Sequence, residues 1–250
     1  MPFEQLKPAF NQDGYVIVRQ LLTPAKFAEL TSNLDRYIRD VVPTLPDQHA
    51  FYVDRSRPET LKQMQLMDLD PYFRDYTREP TWLALARTLL GEEAQAQPPE
   101  WFNKPPGENA PTPPHQDNYY FNLKPPSVLT IWLALDTVDG GNGCLRYVPG
   151  SHRRGLRPHG RSHVLGFSQG ITDLGAEDRA REVPIHLRPG DAVVHHCEMI
   201  HRAEPNRSTD RQRRAFAMVF KGVSCRRDEE AYARYEAALK AQHQALGLKT

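Results

Sequence analysis

In the N-terminal part of the chain the apolar positions follow a helical period. From Ala25 to Val41, Phe27, Leu30, Leu34 and Ile38 recur at the spacing that lines one helix face. Thr23 stands where an N-cap is needed, Pro24 takes the first helical position, and Pro43 closes the run. A second helix is predicted from Thr81 to Leu90, ended by Gly91. Ahead of both lies a short apolar stretch, Tyr15-Val16-Ile17-Val18. From about Ala94 to Val223 the period changes. Short β-rich runs appear between Pro and Gly at Val128 to Leu135, Cys144 to Val148, Glu182 to Leu187, Ala192 to His196 and Arg214 to Val223. Asp228 to Leu246 returns to one amphipathic helix with Tyr232, Tyr235, Leu239 and Leu246 inward. Strands that follow one another without intervening helices predict a sandwich or barrel. With no repeat, low-complexity tract or linker, the 250 residues are expected to form one domain: a helical part to about 93, a β core over about 94–223 and a C-terminal helix over about 228–246.

Composition narrows the class without naming a chemistry. Lys and Arg number 32 against 31 Asp and Glu, a net charge of +1, which gives no basis for a general nucleic-acid or membrane binder and means that any partner is chosen locally. No basic segment followed by an apolar run opens the chain, and no window approaches the ~18 apolar residues of a membrane span, so a soluble, cytoplasmic protein is expected. Cys144, Cys197 and Cys225 are odd in number, far apart and in no CxxC spacing, which argues against a disulfide framework and a zinc site.

The chemistry concentrates in a few places. His115-Gln116-Asp117 puts an imidazole and a carboxylate two residues apart, so on an extended strand both project from one face. A third ligand from elsewhere would complete two histidines and one carboxylate on one face of an octahedron, leaving three positions open. His201 follows the strand-like run Gly190 to His196 and is the candidate. A local competitor, His196-Cys197-Glu198 beside His201, is ranked lower, because one strand end rarely wraps three ligands around an ion. His195 and His196 read as strand residues, and His152, after the Pro149-Gly150 turn, as a loop residue. Arg213, before the small residues Ala215 and Ala217, has the planar fork that suits a carboxylate.

Taken together these residues resemble the phytanoyl-CoA dioxygenase family of Fe(II)/2-oxoglutarate-dependent oxygenases. The resemblance runs through Asn103-Lys104-Pro105-Pro106, His115-Gln116-Asp117, Trp132, Asn142-Gly143-Cys144-Leu145, Pro149-Gly150-Ser151-His152, Gly190-Asp191, His201, Asn206 and Arg213, in order and spacing, over about half the chain. It implies a mainly β fold, a double-stranded β-helix or jelly-roll core like that of the cupins, with flanking α-helices. It implies His115, Asp117 and His201 as iron ligands and Arg213 as anchor for the distal carboxylate of 2-oxoglutarate, with Trp132 and Lys62 as further co-substrate contacts and Gln116 touching the site between two ligands. The stretch from His201 to the arginine cluster carries an extra residue relative to many members. Arg211 and Arg214 therefore stay open as anchors, and Arg213 is preferred because Arg-Arg-Ala before an apolar strand is the form the motif takes.

The reaction the resemblance implies consumes O2 and 2-oxoglutarate, releases succinate and CO2, and hydroxylates a small organic substrate. Asp117 favours hydroxylation, since a halogenase of this family would carry a small residue there. The alternatives are a cupin-like isomerase or lyase and a ligand-sensing module without turnover. For the substrate, the insert Arg153 to His163, with Arg153, Arg154, Arg157, His159, Arg161 and His163, is expected to form a mobile lid that recruits an anionic group through Arg157 and Arg161, with Tyr119 and Tyr120 on the opposite wall.

Overall fold

The fold is that of a computed structural model describing residues 3–108, 110–164 and 167–245. Two antiparallel sheets face each other. The major sheet runs, edge to edge, Tyr15–Val18, Ala192–His196, Val128–Ala134, Ala215–Gly222, Glu100–Phe102, Leu61–Met64 and Ala50–Tyr52, with Ala94–Ala96 also paired to Ala215–Gly222. The minor sheet runs Val183–Pro184, Leu145–Tyr147, His201–Ala203 and Thr112–His115. This is the expected double-stranded β-helix.

Val128–Ala134 shows why its sequence is apolar throughout. All seven residues are buried. Leu129, Ile131 and Leu133 face outward and pack with Leu30, Leu34, Tyr37, Phe73, Trp82 and Leu85 of the helical layer. Trp132 and Ala134 face inward and pack with Leu145, Tyr147 and Ala203 of the minor sheet. A strand covered on both faces has no solvent side on which to place polar residues.

The helix signals act as expected. Pro24–Arg36 starts at Thr23, whose side chain accepts from Lys26 N, and continues as a π-helical turn over Tyr37–Val41. Pro80–Leu90 ends on Gly91 in the left-handed conformation. Glu229–Ala245 forms the C-terminal helix; Leu246 and the side chain of His163 lie outside what is described.

Three expectations are corrected. The N-terminal part is not only helical, since Tyr15–Val18, Ala50–Tyr52 and Leu61–Met64 extend the major sheet. The strand expected at Glu182 to Leu187 shortens to Val183–Pro184 and an isolated Val138–Leu187 bridge, because Pro184 offers no N–H to a ladder. The expected lid is a β-hairpin, His159–Val164 paired with Phe167–Ile171, preceded by a 3-10 turn at Ser151–Arg154.

Candidate metal centre

The two sheets bring two rows of side chains together. In the minor sheet His201 pairs with His115 on one side and Tyr147 on the other. In the major sheet Thr130 pairs with His195 and with Val219. Asp117 sits between these rows. It is not on the strand, as its sequence position suggested: Thr112–His115 ends at His115, and Asp117 has helical backbone angles, its carbonyl accepting from Tyr120 N and Phe121 N to start the turn Asn118–Phe121. The ligand atoms offered by His115, Asp117 and His201 lie within 4.8 Å of one another.

Hydrogen bonds decide which atoms remain for a metal. His115 Nδ1 is 2.8 Å from Pro113 O, and His201 Nδ1 is 3.0 Å from Met199 O. A carbonyl only accepts, so both Nδ1 atoms carry the proton, and in the neutral rings both Nε2 atoms present lone pairs. Each Nε2 is 3.6 Å from the same atom, Asp117 Oδ1. Burial holds both imidazoles below their usual range, so they stay neutral, whereas the Asp117 carboxyl lies well below the usual carboxylate range despite its burial, with the hydrogen bond to His195 favouring its charged form. Two lone pairs converging on a carboxylate oxygen repel unless a cation lies between them. The donor set therefore fits a divalent metal of the kind held by two histidines and one carboxylate.

The other carboxylate oxygen, Oδ2, accepts from Thr130 Oγ1 at 2.9 Å and lies 3.1 Å from His195 Nε2. His195 Nδ1 is in turn 2.8 Å from the Tyr147 hydroxyl. Tyr147 is fully buried and its hydroxyl is pushed up, so it stays protonated and donates to Nδ1, leaving Nε2–H to donate to Asp117. His195 thus orients the Asp117 carboxylate from outside the candidate ligand set. The competing pair is directed elsewhere: His196 Nδ1 accepts from Glu198 N, and Glu198 Oε1 accepts from Asn118 Nδ2.

The triad opens into a cavity of about 870 Å3, enough for a co-substrate and a small organic molecule. Arg213, Lys62, Lys104 and Trp132 line it. Arg213 is 4% exposed, its Nε has no hydrogen-bond partner among the described residues, and its guanidinium carbon stands 5.3 Å from the centre of the Trp132 ring. Burial lowers its pKa to about 10. The neighbouring arginines are occupied elsewhere, Arg211 by Asp139 and Arg214 by Asp136. Lys104 exchanges backbone hydrogen bonds with Arg213, and its Nζ donates to Ala110 O. Burial, with Arg213 and Lys62 adding to it, lowers the Lys104 pKa to about 7; burial also lowers that of Lys62. The polar motif residues build this wall. Asn206 donates to the carbonyls of Lys104 and Arg211, Asn142 to those of Thr137 and Gln212, and Asn103 accepts from Arg213 N. Gly143 has φ +84°, and a Cβ there would stand 2.6 Å from Glu204 O and 2.9 Å from Lys104 Cδ.

Of the residues singled out in the sequence, Tyr120 also lines the cavity. Gln116 does not. It is fully buried, its amide donating to Gly155 O and Glu198 O and accepting from Arg157 N. Tyr119 turns away to stack on His159, with ring centroids 4.1 Å apart. Arg157 pairs with Asp173 and Asp178, and Arg161 is exposed outside the cavity wall. The carboxylates that neutralise the insert lie some twenty residues downstream, beyond a local reading. Sequence reasoning also gave no role to Glu100, Gln63, Lys104, Thr130 or Tyr147. The one signal for Glu100 was its charge beside Trp101 and Phe102 at the start of the β region.

The family model for phytanoyl-CoA dioxygenase (PhyH) matches residues 10–215. Peroxisomal phytanoyl-CoA dioxygenase of Bos taurus is 26% identical over 230 residues, covering 86% of this chain and 67% of that protein. The chain spans only about half the length of other curated relatives, such as 50% of the Oryza sativa phytanoyl-CoA dioxygenase 1. Among solved structures, EvdO2 from Micromonospora carbonacea var. aurantiaca complexed with 2-oxoglutarate has a TM-score of 0.68 at 27% identity, with 87% of this chain and 89% of that one covered. The epimerase SnoN in complex with Fe3+, alpha ketoglutarate and nogalamycin RO has a TM-score of 0.71 at 24% identity, with 89% and 84% covered, a likeness of fold.

Proposed function

The chain belongs to the phytanoyl-CoA dioxygenase family, and from that premise we propose that it is an Fe(II)- and 2-oxoglutarate-dependent oxygenase that hydroxylates a small organic substrate with release of succinate and CO2. The observation that carries this reading is a buried guanidinium with an unpartnered Nε lining the same cavity as two imidazole lone pairs and a carboxylate oxygen. A cation site and an anion site in one enclosed space suit a metal and a dicarboxylate together.

His115, Asp117 and His201 would hold the iron. Arg213 would take the distal carboxylate, with Lys62 and Lys104 contributing positive potential and Trp132 forming a flat wall beside it. The bound iron and 2-oxoglutarate supply the activation of O2 for oxidation of a C–H bond. This chain's residues do the positioning. Thr130 and His195 fix the rotation of the Asp117 carboxylate, Tyr147 fixes the tautomer of His195, and the apolar inner faces of both sheets keep bulk water away.

The test is to incubate the purified protein with Fe(II), 2-oxoglutarate and O2, follow succinate, and then screen substrates by mass for one added oxygen. Succinate formation with an oxygenated product supports hydroxylation. A product of unchanged mass would replace hydroxylation by rearrangement, and no succinate under any condition would sink the oxygenase reading.

A further inference from the structure

We propose that Glu100 and Gln63 form the polar subsite for the organic substrate and that the group they receive is a protonated amine. The inference rests on the oxygenase reading above, which assigns the cationic wall of the cavity to 2-oxoglutarate.

Position comes first. Ala217 pairs laterally with Trp132 on one neighbouring strand and with Glu100 on the other. Residues paired across strands project from the same face of a sheet, so Glu100 looks into the same cavity as Trp132, with only the Ala217 methyl between them. Both line the cavity.

Its partners come second. Gln63 Nε2 donates to Glu100 Oε2 at 3.0 Å, and among the described residues no cation lies within ion-pair distance of Glu100. Lys62 is adjacent to Gln63 in sequence, but the carboxylate whose charge it feels is Glu108. Burial, reinforced by the charge of Asp117, pushes the Glu100 carboxyl up to about 7. Gln63 is 3% exposed, and its Oε1 has no hydrogen-bond partner among the described residues. A buried amide oxygen left this way costs roughly 1–3 kcal/mol. One wall of the cavity therefore presents carboxyl and amide oxygens to a ligand, and of the two Gln63 N–H groups one is already given to Glu100.

The ligand that satisfies this wall brings several donors and a positive charge. A hydroxyl supplies one donor and leaves the carboxylate uncompensated, whereas an ammonium supplies three N–H groups and neutralises it. Tyr120 and Tyr235 also line the cavity, Tyr235 near enough to feel the charge of Glu100, and aromatic faces attract organic cations. An anionic group at this position would meet the carboxylate instead. The preference is the reverse of the one expected from Arg157 and Arg161, which stand outside the cavity.

The experiment titrates phenethylammonium, phenethyl alcohol and phenylpropionate, by calorimetry, into the anaerobic Fe(II) and 2-oxoglutarate complex at about pH 8, above the range in which Glu100 titrates. The ammonium probe is expected to bind at least about tenfold more tightly than the other two, and Glu100→Gln and Gln63→Leu are each expected to weaken it by about tenfold while changing the alcohol less than about threefold. Thermal melts establish that each variant is folded, and Gln63→Leu decides if Glu100→Gln is not. Equal or tighter binding of the alcohol or carboxylate, no binding of the ammonium probe, or an unchanged affinity in the folded variants overturns the proposal. Succinate formation by the wild type in the same preparation is read separately. Its absence sinks the oxygenase reading, while succinate formation without an ammonium preference sinks only the amine subsite.

Discussion

Asp117 divides its two oxygens, one turned to Thr130 and His195 and the other to the Nε2 atoms of His115 and His201. Removing a ligand and removing an orienting group should therefore differ in degree. His201→Ala is expected to abolish Fe(II) binding and turnover, whereas His196→Ala, whose ring is held by Glu198 N and the Pro126 backbone and does not line the cavity, should retain both; the opposite pattern in an anaerobic Fe(II) titration would displace the third candidate ligand. His195→Leu should weaken Fe(II) affinity by about 10- to 100-fold, with His195→Gln recovering part of the loss because it keeps a donor. Arg213→Ala should raise the KM for 2-oxoglutarate by about 100-fold with Fe(II) affinity little changed, since a buried charge-assisted fork is lost. Arg211→Ala, which breaks only an exposed pair with Asp139, is the control, and an equal defect there would move the anchor. The candidate ligand cluster and the cavity arginine were legible in sequence because His-x-Asp, a later His and Arg-Arg-Ala sit in fixed order. The orienting shell was not, because Thr130, Tyr147 and His195 come from three strands and look like ordinary strand residues.

At the level of elements, Gln116 is the connector. Its amide ties the end of the His115 strand to Gly155, Arg157 and Glu198, while Arg154 and Arg157 tie the start of the hairpin to Asp178. Gln116→Ala is expected to destabilise the protein by about 2–4 kcal/mol, because it leaves three part-buried backbone groups of two segments without their partner, with a parallel loss of Fe(II) affinity. Denaturant unfolding measures the first, and a change under about 1 kcal/mol would show that water replaces the amide. Helix ends were readable at Thr23 and Gly91 because caps and breakers act within a few residues. The backbone of Asp117 was not, because the alternation that marks a strand does not reveal where the chain turns into a helical first residue.

Across the whole molecule, the fold places Lys104 and Arg213 beside each other away from water, and this couples stability to pH. Lys104 falls from its ordinary 10.5 to about 7 in the folded protein. A depressed lysine contributes its full stability above the unfolded value, and that contribution is lost as pH falls towards the folded value. Stability should therefore rise between about pH 7 and pH 9 by on the order of 2–3 kcal/mol relative to Lys104→Met, measured by urea unfolding of the metal-free protein. Parallel pH profiles for the two proteins would show that Lys104 titrates normally. The sequence by itself determined the succession of helical and β-rich stretches, the helix ends at Thr23 and Gly91, the charge balance and the order of the candidate ligands, since each depends on spacing along the chain or on residue type. Only the tertiary structure decided that Arg213, rather than Arg211 or Arg214, enters the cavity, that Arg157 and Arg161 stay out of it, and that Glu100 and Gln63 face the metal side. Those outcomes depend on strand register and on carboxylates far away in the chain, because a buried charge goes where a partner or a ligand space exists and the partner is chosen by folding rather than by sequence distance.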